Sequence, residues 1–229
     1  MTGRSHVYKF RDAVNGFFEF PVDRARALLP AGLQPVEPHH GRAVLAVTAF
    51  DFYDSPVGEY REIIHSVLVA PRIVPGEPMP RAAMYPFRVA TSTRAARQHA
   101  IELWHLPHLM SDVDVRFEHD AEKAVRITAV EGGRPILGLR VTAYGGWQAV
   151  EHHYQTFAQD DGGAWFQFLM LQGPFMEHEE ERGELALHDH PFHAGLVTSE
   201  LETTPFREQW MRMGVETLHP LQPLVPAGR

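Results

Sequence analysis

The chain contains no cysteine, which excludes disulfides and thiolate metal sites. Lysine is almost as scarce: Lys9 and Lys123 stand against nineteen arginines. An imine with a carbonyl substrate needs a primary amine, and a guanidinium does not supply one at ordinary pH. Lys123 closes the polar stretch Glu118–Lys123, which reads as an exposed hairpin turn, and Lys9 has no motif around it. Positive charge is short overall. The formal net charge of -8 gives no global basic field for nucleic acid or an anionic membrane. No apolar run is long enough to span a bilayer, and Met1–His6 lacks the apolar core of a signal peptide. The cytoplasm is the expected compartment. There is no P-loop and no Gly-x-Ser-x-Gly; Gly132-Gly133 and Gly162-Gly163 read as hairpin turns.

What is present describes a β-rich protein. A hydrophobic content of 44% over 229 residues suffices for a sizeable core. No repeat, low-complexity tract or linker divides the chain, so one domain over 1–229 is expected. Val14–Phe20 reads as a strand leading to a short helix over Arg24–Leu29, ended by Pro30-Ala31-Gly32. Further strands are predicted over Ala43–Phe52, Tyr60–Val69, Ala82–Val89, Val113–Phe117, Ala124–Val130, Ile136–Thr142, His152–Phe157 and Trp165–Leu171. Thr91-Ser92-Thr93 suits a cap for a helix over Arg94–Leu103, which Pro107 and its predecessor terminate. The segment Pro205–Leu218 is ambiguous between strand and helix, and Glu177–Glu181 reads as a solvated loop. Short strands joined by tight turns predict a mostly β, single-domain fold: an antiparallel sheet curled or closed into a barrel, with a few helices.

Period-two geometry places Tyr60, Glu62 and Ile64 on one strand face. A glutamate there faces an apolar interior and needs a partner. Arg11 could supply the opposite charge, holding Glu62 ionised or gripping a substrate carboxylate bidentately. Both residues also admit a structural reading, as an interior pair member and a surface arginine. Trp104 is core or pocket wall; with Tyr60 it is a candidate substrate contact. The fifteen histidines include His39-His40, His99 with His105 and His108, His152-His153, and His188 with His190 and His193. Histidine and carboxylate are common metal ligands. Adjacent histidines on a strand point oppositely, however, and Pro107 breaks the register between His105 and His108, so no metal is expected.

The segment Glu102-Leu103-Trp104-His105-Leu106-Pro107-His108-Leu109 resembles the active-site segment of the acetoacetate decarboxylase family, in which Glu-Leu is followed by three variable residues and Pro-Lys-Lys. Gly58-Glu59-Tyr60-Arg61-Glu62 is similar to the family's Gly-x-Tyr-x-Glu, and the stretch from Arg11 to Pro30 to its opening strand and helix. The resemblance implies a catalytic role for Glu62, an active-site position for Arg11, a barrel pocket and a homo-oligomer. It places the Schiff-base lysine at His108, and the family's Gly-Arg before Glu-Leu reads Ala100-Ile101 here. Imidazole has no nitrogen with two removable protons, so it cannot become an imine electron sink; it can move a proton. The expectation is an enzyme acting on a small carbonyl or carboxylic acid compound by acid–base chemistry of lyase, hydratase or hydrolase type. Glu62 and His108 would be catalytic, and no cofactor is involved. The alternatives are a non-catalytic small-molecule-binding member of the family and a histidine–metal enzyme.

Overall fold

The structure, a computed structural model, describes residues 3–121 and 123–224. Its strands are β1 (His6–Pro21), β2 (Arg42–Asp54), β3 (Tyr60–Val69), β4 (Ala82–Thr91), β5 (Asp114–His119), β6 (Ala124–Glu131), β7 (Arg134–Thr142), β8 (Gln148–Asp160), β9 (Gly163–His178), β10 (Glu184–Leu187), β11 (Arg207–Leu218) and β12 (Gln222–Pro223). Two α-helices, α1 (Val22–Leu28) and α2 (Arg94–Trp104), interrupt them. Seven strands run in the order β11-β1-β2-β3-β4-β8-β9, and pairing of β9 with β11 closes them into a barrel. A separate sheet, β10-β7-β6-β5, packs on the barrel's outer face.

Strands β1, β2 and β3 are buried on both faces because each separates two cores. Phe18, Leu45, Ile63, Ile127 and Leu139 belong to the core between the barrel and the outer sheet. Phe10, Phe50, Phe52, Tyr60 and Leu171 belong to the core inside the barrel. Such strands read as continuous apolar runs, since both side-chain rows leave water.

Three arrangements were not readable from the sequence. The segment Pro205–Leu218 resolves as strand β11. The pairing of β4 with β8 is parallel and confined to Ala82–Met84 against Tyr154–Thr156. Beyond it the chain after α2 joins β4, with Val89 N donating to Pro107 O at 2.9 Å and Leu109 N to Val89 O at 2.8 Å. The charge run departs from the expected loop only at its start: β9 continues to His178, and Glu177 accepts from Arg81 and Gln209, while residues 179–181 form an exposed loop. These partners offset the cost of burying the Glu177 carboxylate.

Helix α2 forms where the sequence predicts it. Thr93 caps it by accepting from Ala96 N at 3.2 Å. His105 ends it in the left-handed conformation, at φ 53°. That conformation normally favours glycine; here the ring is held by Asp160 at 2.6 Å and stacks on Trp165 at 4.0 Å. The helix's inward face carries Ala96, His99, Ala100 and Trp104 against the barrel interior.

Candidate active site in the barrel lumen

The barrel encloses a lumen of two adjoining lobes, of about 70 and 60 Å³. Ile64, Pro86, Thr156, Leu169 and Glu216 border both. The first lobe lies under α2 and holds most of the chemistry. Alternation along β3 directs Tyr60, Glu62 and Ile64 into it, as the sequence predicts. Alternation along β11 directs Glu216 and Leu218 into it, and Glu216 is the register partner of Tyr8 on β1.

Glu62 and Glu216 enter the same lobe from β3 and β11, with β1 and β2 between those strands in the wall. Both are buried, with only a small part of each side chain open to the lumen, and neither makes a hydrogen bond or ion pair with a described residue. Burial disfavours the charged form and pushes each carboxyl up to about 8; for Glu62 the nearby Glu216 adds to the effect. At neutral pH the lumen therefore holds carboxylic acids rather than two carboxylates. The same burial and the same two glutamates raise the Tyr8 and Tyr60 phenols, so both hydroxyls stay protonated.

Tyr8 leads from this pair toward the surface. Its hydroxyl oxygen accepts from Trp104 Nε1 at 3.0 Å and lies 2.8 Å from His99 Nε2. An indole N–H only donates. The phenol proton is thus free to reach Nε2 of a neutral His99, which then carries its own proton on Nδ1. His99 is half-buried, sits edge-on to His6 at 5.8 Å, and is held below its ordinary pKa mainly by burial. Deeper in the same lobe the Gln167 Oε1 atom is buried without a partner.

Of the five site residues read from the sequence, the lumen collects Tyr60, Glu62 and Trp104. Arg11 and His108 are not part of its lining. Arg11 does not reach Glu62, for a local reason. Between the pairs Phe10–Phe52 and Asp12–Asp51 it is the extra residue of a bulge in β1. The bulge turns its side chain to the surface, where Nη1 bonds Glu59 at 2.8 Å and lies 3.5 Å from Asp51. His108 takes the place in β4's ladder opposite Val89. Both its ring nitrogens are buried without partners, and burial with the nearby Arg97 pushes it down to about 4. It is a neutral imidazole beside the lumen wall.

Sequence reading missed Glu216, Tyr8 and His99. Tyr8 precedes the predicted first strand, and Glu216 lies in the segment that was ambiguous. His99 is three residues after Ala96 and five before Trp104, a spacing that places all three toward one side of α2. Among the described residues no three histidine or acidic side chains gather as a metal-binding group.

A seven-stranded barrel with an interior acid pair under a capping helix defines a lumenal small-molecule site. The sequence matches the model of the acetoacetate decarboxylase (ADC) family over residues 2–193, and the chain belongs to that family. A search of curated proteins finds no match. Among solved structures, an acetoacetate decarboxylase from Legionella pneumophila subsp. pneumophila str. Philadelphia 1 is similar, with 15% identity, coverage of 95% of this chain and 87% of that one, and a TM-score of 0.66. The enduracididine biosynthesis enzyme MppR complexed with pyruvate is 12% identical over 99% of this chain and 92% of its own, with a TM-score of 0.62. An acetoacetate decarboxylase-like enzyme from Sphingomonas wittichii RW1 is 15% identical over 96% and 92%, with a TM-score of 0.61. At these identities the likeness is one of fold.

Proposed function

We propose that the chain is a small-molecule enzyme of this family that works by acid–base transfer at Glu62 and Glu216 without forming an imine. The observation that carries the reading is the pair itself: two buried, unpartnered carboxyls opening on one small lumen. Folding places such groups there against their desolvation cost, which is characteristic of catalytic sites. The missing amine supports the second half. Lys9 is tied to Asp54 at 2.8 Å on the surface, and Lys123 lies in the exposed β5–β6 turn at φ 60°. Neither borders the lumen.

The chemistry that fits is enolisation, or hydration and dehydration through an enol. One carboxylic acid donates its proton to the carbonyl oxygen while the other, ionised, takes a proton from the adjacent carbon. Reversal returns both protons. The Tyr60 hydroxyl stands ready to hold the oxygen, and the buried Gln167 carbonyl to accept from a substrate donor. A residue transferring a proton in this way typically contributes 10²–10⁴-fold. Glu62→Gln and Glu216→Gln should each lower turnover by about that factor, while borohydride with a keto acid should leave the protein's mass unchanged. An adduct on Lys9 or Lys123 would contradict the proposal, as would full activity in both variants.

A further inference from the structure

Neither lobe of the lumen is lined by an arginine or a lysine among the described residues. The guanidinium expected to grip a substrate carboxylate, Arg11, is turned outward by the β1 bulge and occupied by Glu59 and Asp51. Arg97, on α2, is directed to Asp112 at 2.6 Å. The charge-bearing groups that do face the lumen are acidic, apart from His99 at the helix end. A carboxylate ligand would lose its hydration in this space with no cation to neutralise it, and would oppose ionisation of the glutamate that has to act as base.

The walls give the rest of the specification. In the first lobe Glu62, Glu216, Tyr8, Tyr60 and the unpartnered Gln167 offer donors and acceptors. In the second, Asn15 and Thr48 bond to each other, and Phe50, Met84, Ile64 and Leu171 give a mostly apolar surface beside the hydroxyls of Ser66, Tyr154 and Thr156. A water molecule's share of the liquid is about 30 Å³, so lobes of about 70 and 60 Å³ suit a ligand of only a few non-hydrogen atoms.

We infer that the lumen takes a small uncharged carbonyl compound, an alkyl ketone or aldehyde, with its oxygen at the Glu62–Glu216 pair and its alkyl group in the second lobe, and that it rejects keto acids. The inference rests on the acid–base reading above and narrows its substrate class. The balance is that of enolisation: the proton leaving carbon goes to one glutamate, the proton gained by oxygen comes from the other, and no oxidant or co-reactant is consumed.

The test follows solvent deuterium into the carbon next to the carbonyl by proton NMR, with 2-butanone and 2-pentanone set beside pyruvate and 2-oxobutanoate. Saturation-transfer binding is measured for the same four compounds with wild type, Glu62→Gln and Glu216→Gln. Binding and exchange of the ketones are expected to exceed those of the keto acids by about 100-fold, or about 2.7 kcal/mol at 1.36 kcal/mol per tenfold. Exchange should be lost in both variants while ketone binding persists. Keto acids that bind and exchange better than the ketones, in a manner abolished by Glu62→Gln, would overturn the substrate class and leave the acid pair standing. Ketone binding with exchange that survives both substitutions would overturn the acid–base reading and leave the class standing. Absence of ketone binding and exchange at 50 mM would overturn the inference outright.

Discussion

The indole of Trp104 donates to the hydroxyl of Tyr8 across 3.0 Å, tying the end of α2 to the first strand of the barrel. This contact assigns the family-like segment a different part from the one its residues suggest. Trp104 and Leu106 line the lumen, whereas His108 joins the ladder of β4 opposite Val89. The segment thus closes the site and orients Tyr8, whose proton then points to His99.

That orientation makes Tyr8 and His99 a path between the acid pair and solvent. Removing the phenol in Tyr8→Phe leaves the packing with Phe52 and Trp104 largely intact, so the fold should persist. Turnover should fall by roughly 10–100-fold, a part of the usual contribution of a positioned proton carrier. In His99→Ala the same loss should be relieved by added imidazole. Rescue by imidazole in His99→Ala and not in Tyr8→Phe is the signature to measure; equal indifference in both would remove the path.

The acid pair also sets a pH dependence of stability. Glu62 and Glu216 rise from the ordinary 4.5 to about 8 on folding. Between those values the folded protein binds more protons than the unfolded chain, so stability falls as pH rises through this window and levels off above it. Glu62→Gln or Glu216→Gln removes one such group. Each variant should match wild type near pH 4 and exceed it above pH 8, by on the order of a few kcal/mol or roughly 5–10 °C in melting temperature. Melting curves at the two pH values decide this, and a variant less stable than wild type at high pH would count against the buried pair.

His65 produces the opposite slope. It is fully buried outside the lumen, stacks on His193 at 5.2 Å and touches Phe192 at 4.7 Å, and neither ring nitrogen has a partner. Burial, with His193 and Arg88 nearby, holds it well below the ordinary 6.5. The unfolded chain takes up a proton there first, so the stability of the neutral ring is present above 6.5 and is lost as pH falls below it. His65→Leu replaces two unmet polar atoms with an apolar side chain. It should stabilise the protein by about 1–3 kcal/mol and flatten the acid limb of a stability–pH curve.

Much of the wall was legible in the sequence, and the reasons are local. Period-two geometry ties Glu62 to the face of Tyr60 and Ile64, so its inward direction follows from those neighbours. The Thr93 cap and Pro107 bracket α2 in the same way. Glu216 was hidden because β11 does not alternate regularly. Met213 adopts φ 46°, and the register with β9 shifts between Met211 and Val215. Gly214 is required there: a Cβ would stand 2.4 Å from the Phe10 ring. Arg11 was misplaced because a bulge depends on how two strands pair, which no single strand's pattern records. The parallel contact of β4 with β8 is likewise a long-range choice. The four-residue β10 is too short to carry a periodic signal.

Acid–base transfer by a coupled pair predicts a bell-shaped rate profile, rising as the first carboxyl ionises and falling as the second follows. Its centre should lie near the values to which burial raises the two groups, about 8, and not in the ordinary carboxylate range. Displacement of the bell to below pH 6 would mean that other groups carry the protons.

The most direct measurement is a carbon-13 NMR titration of the protein labelled at its glutamate carboxyls, assigned with Glu62→Gln and Glu216→Gln. Two resonances should titrate around 8, and each variant should delete one and shift the other down. Resonances of Glu62 and Glu216 that both titrate in the ordinary range, unaffected by each other's removal, would contradict the account.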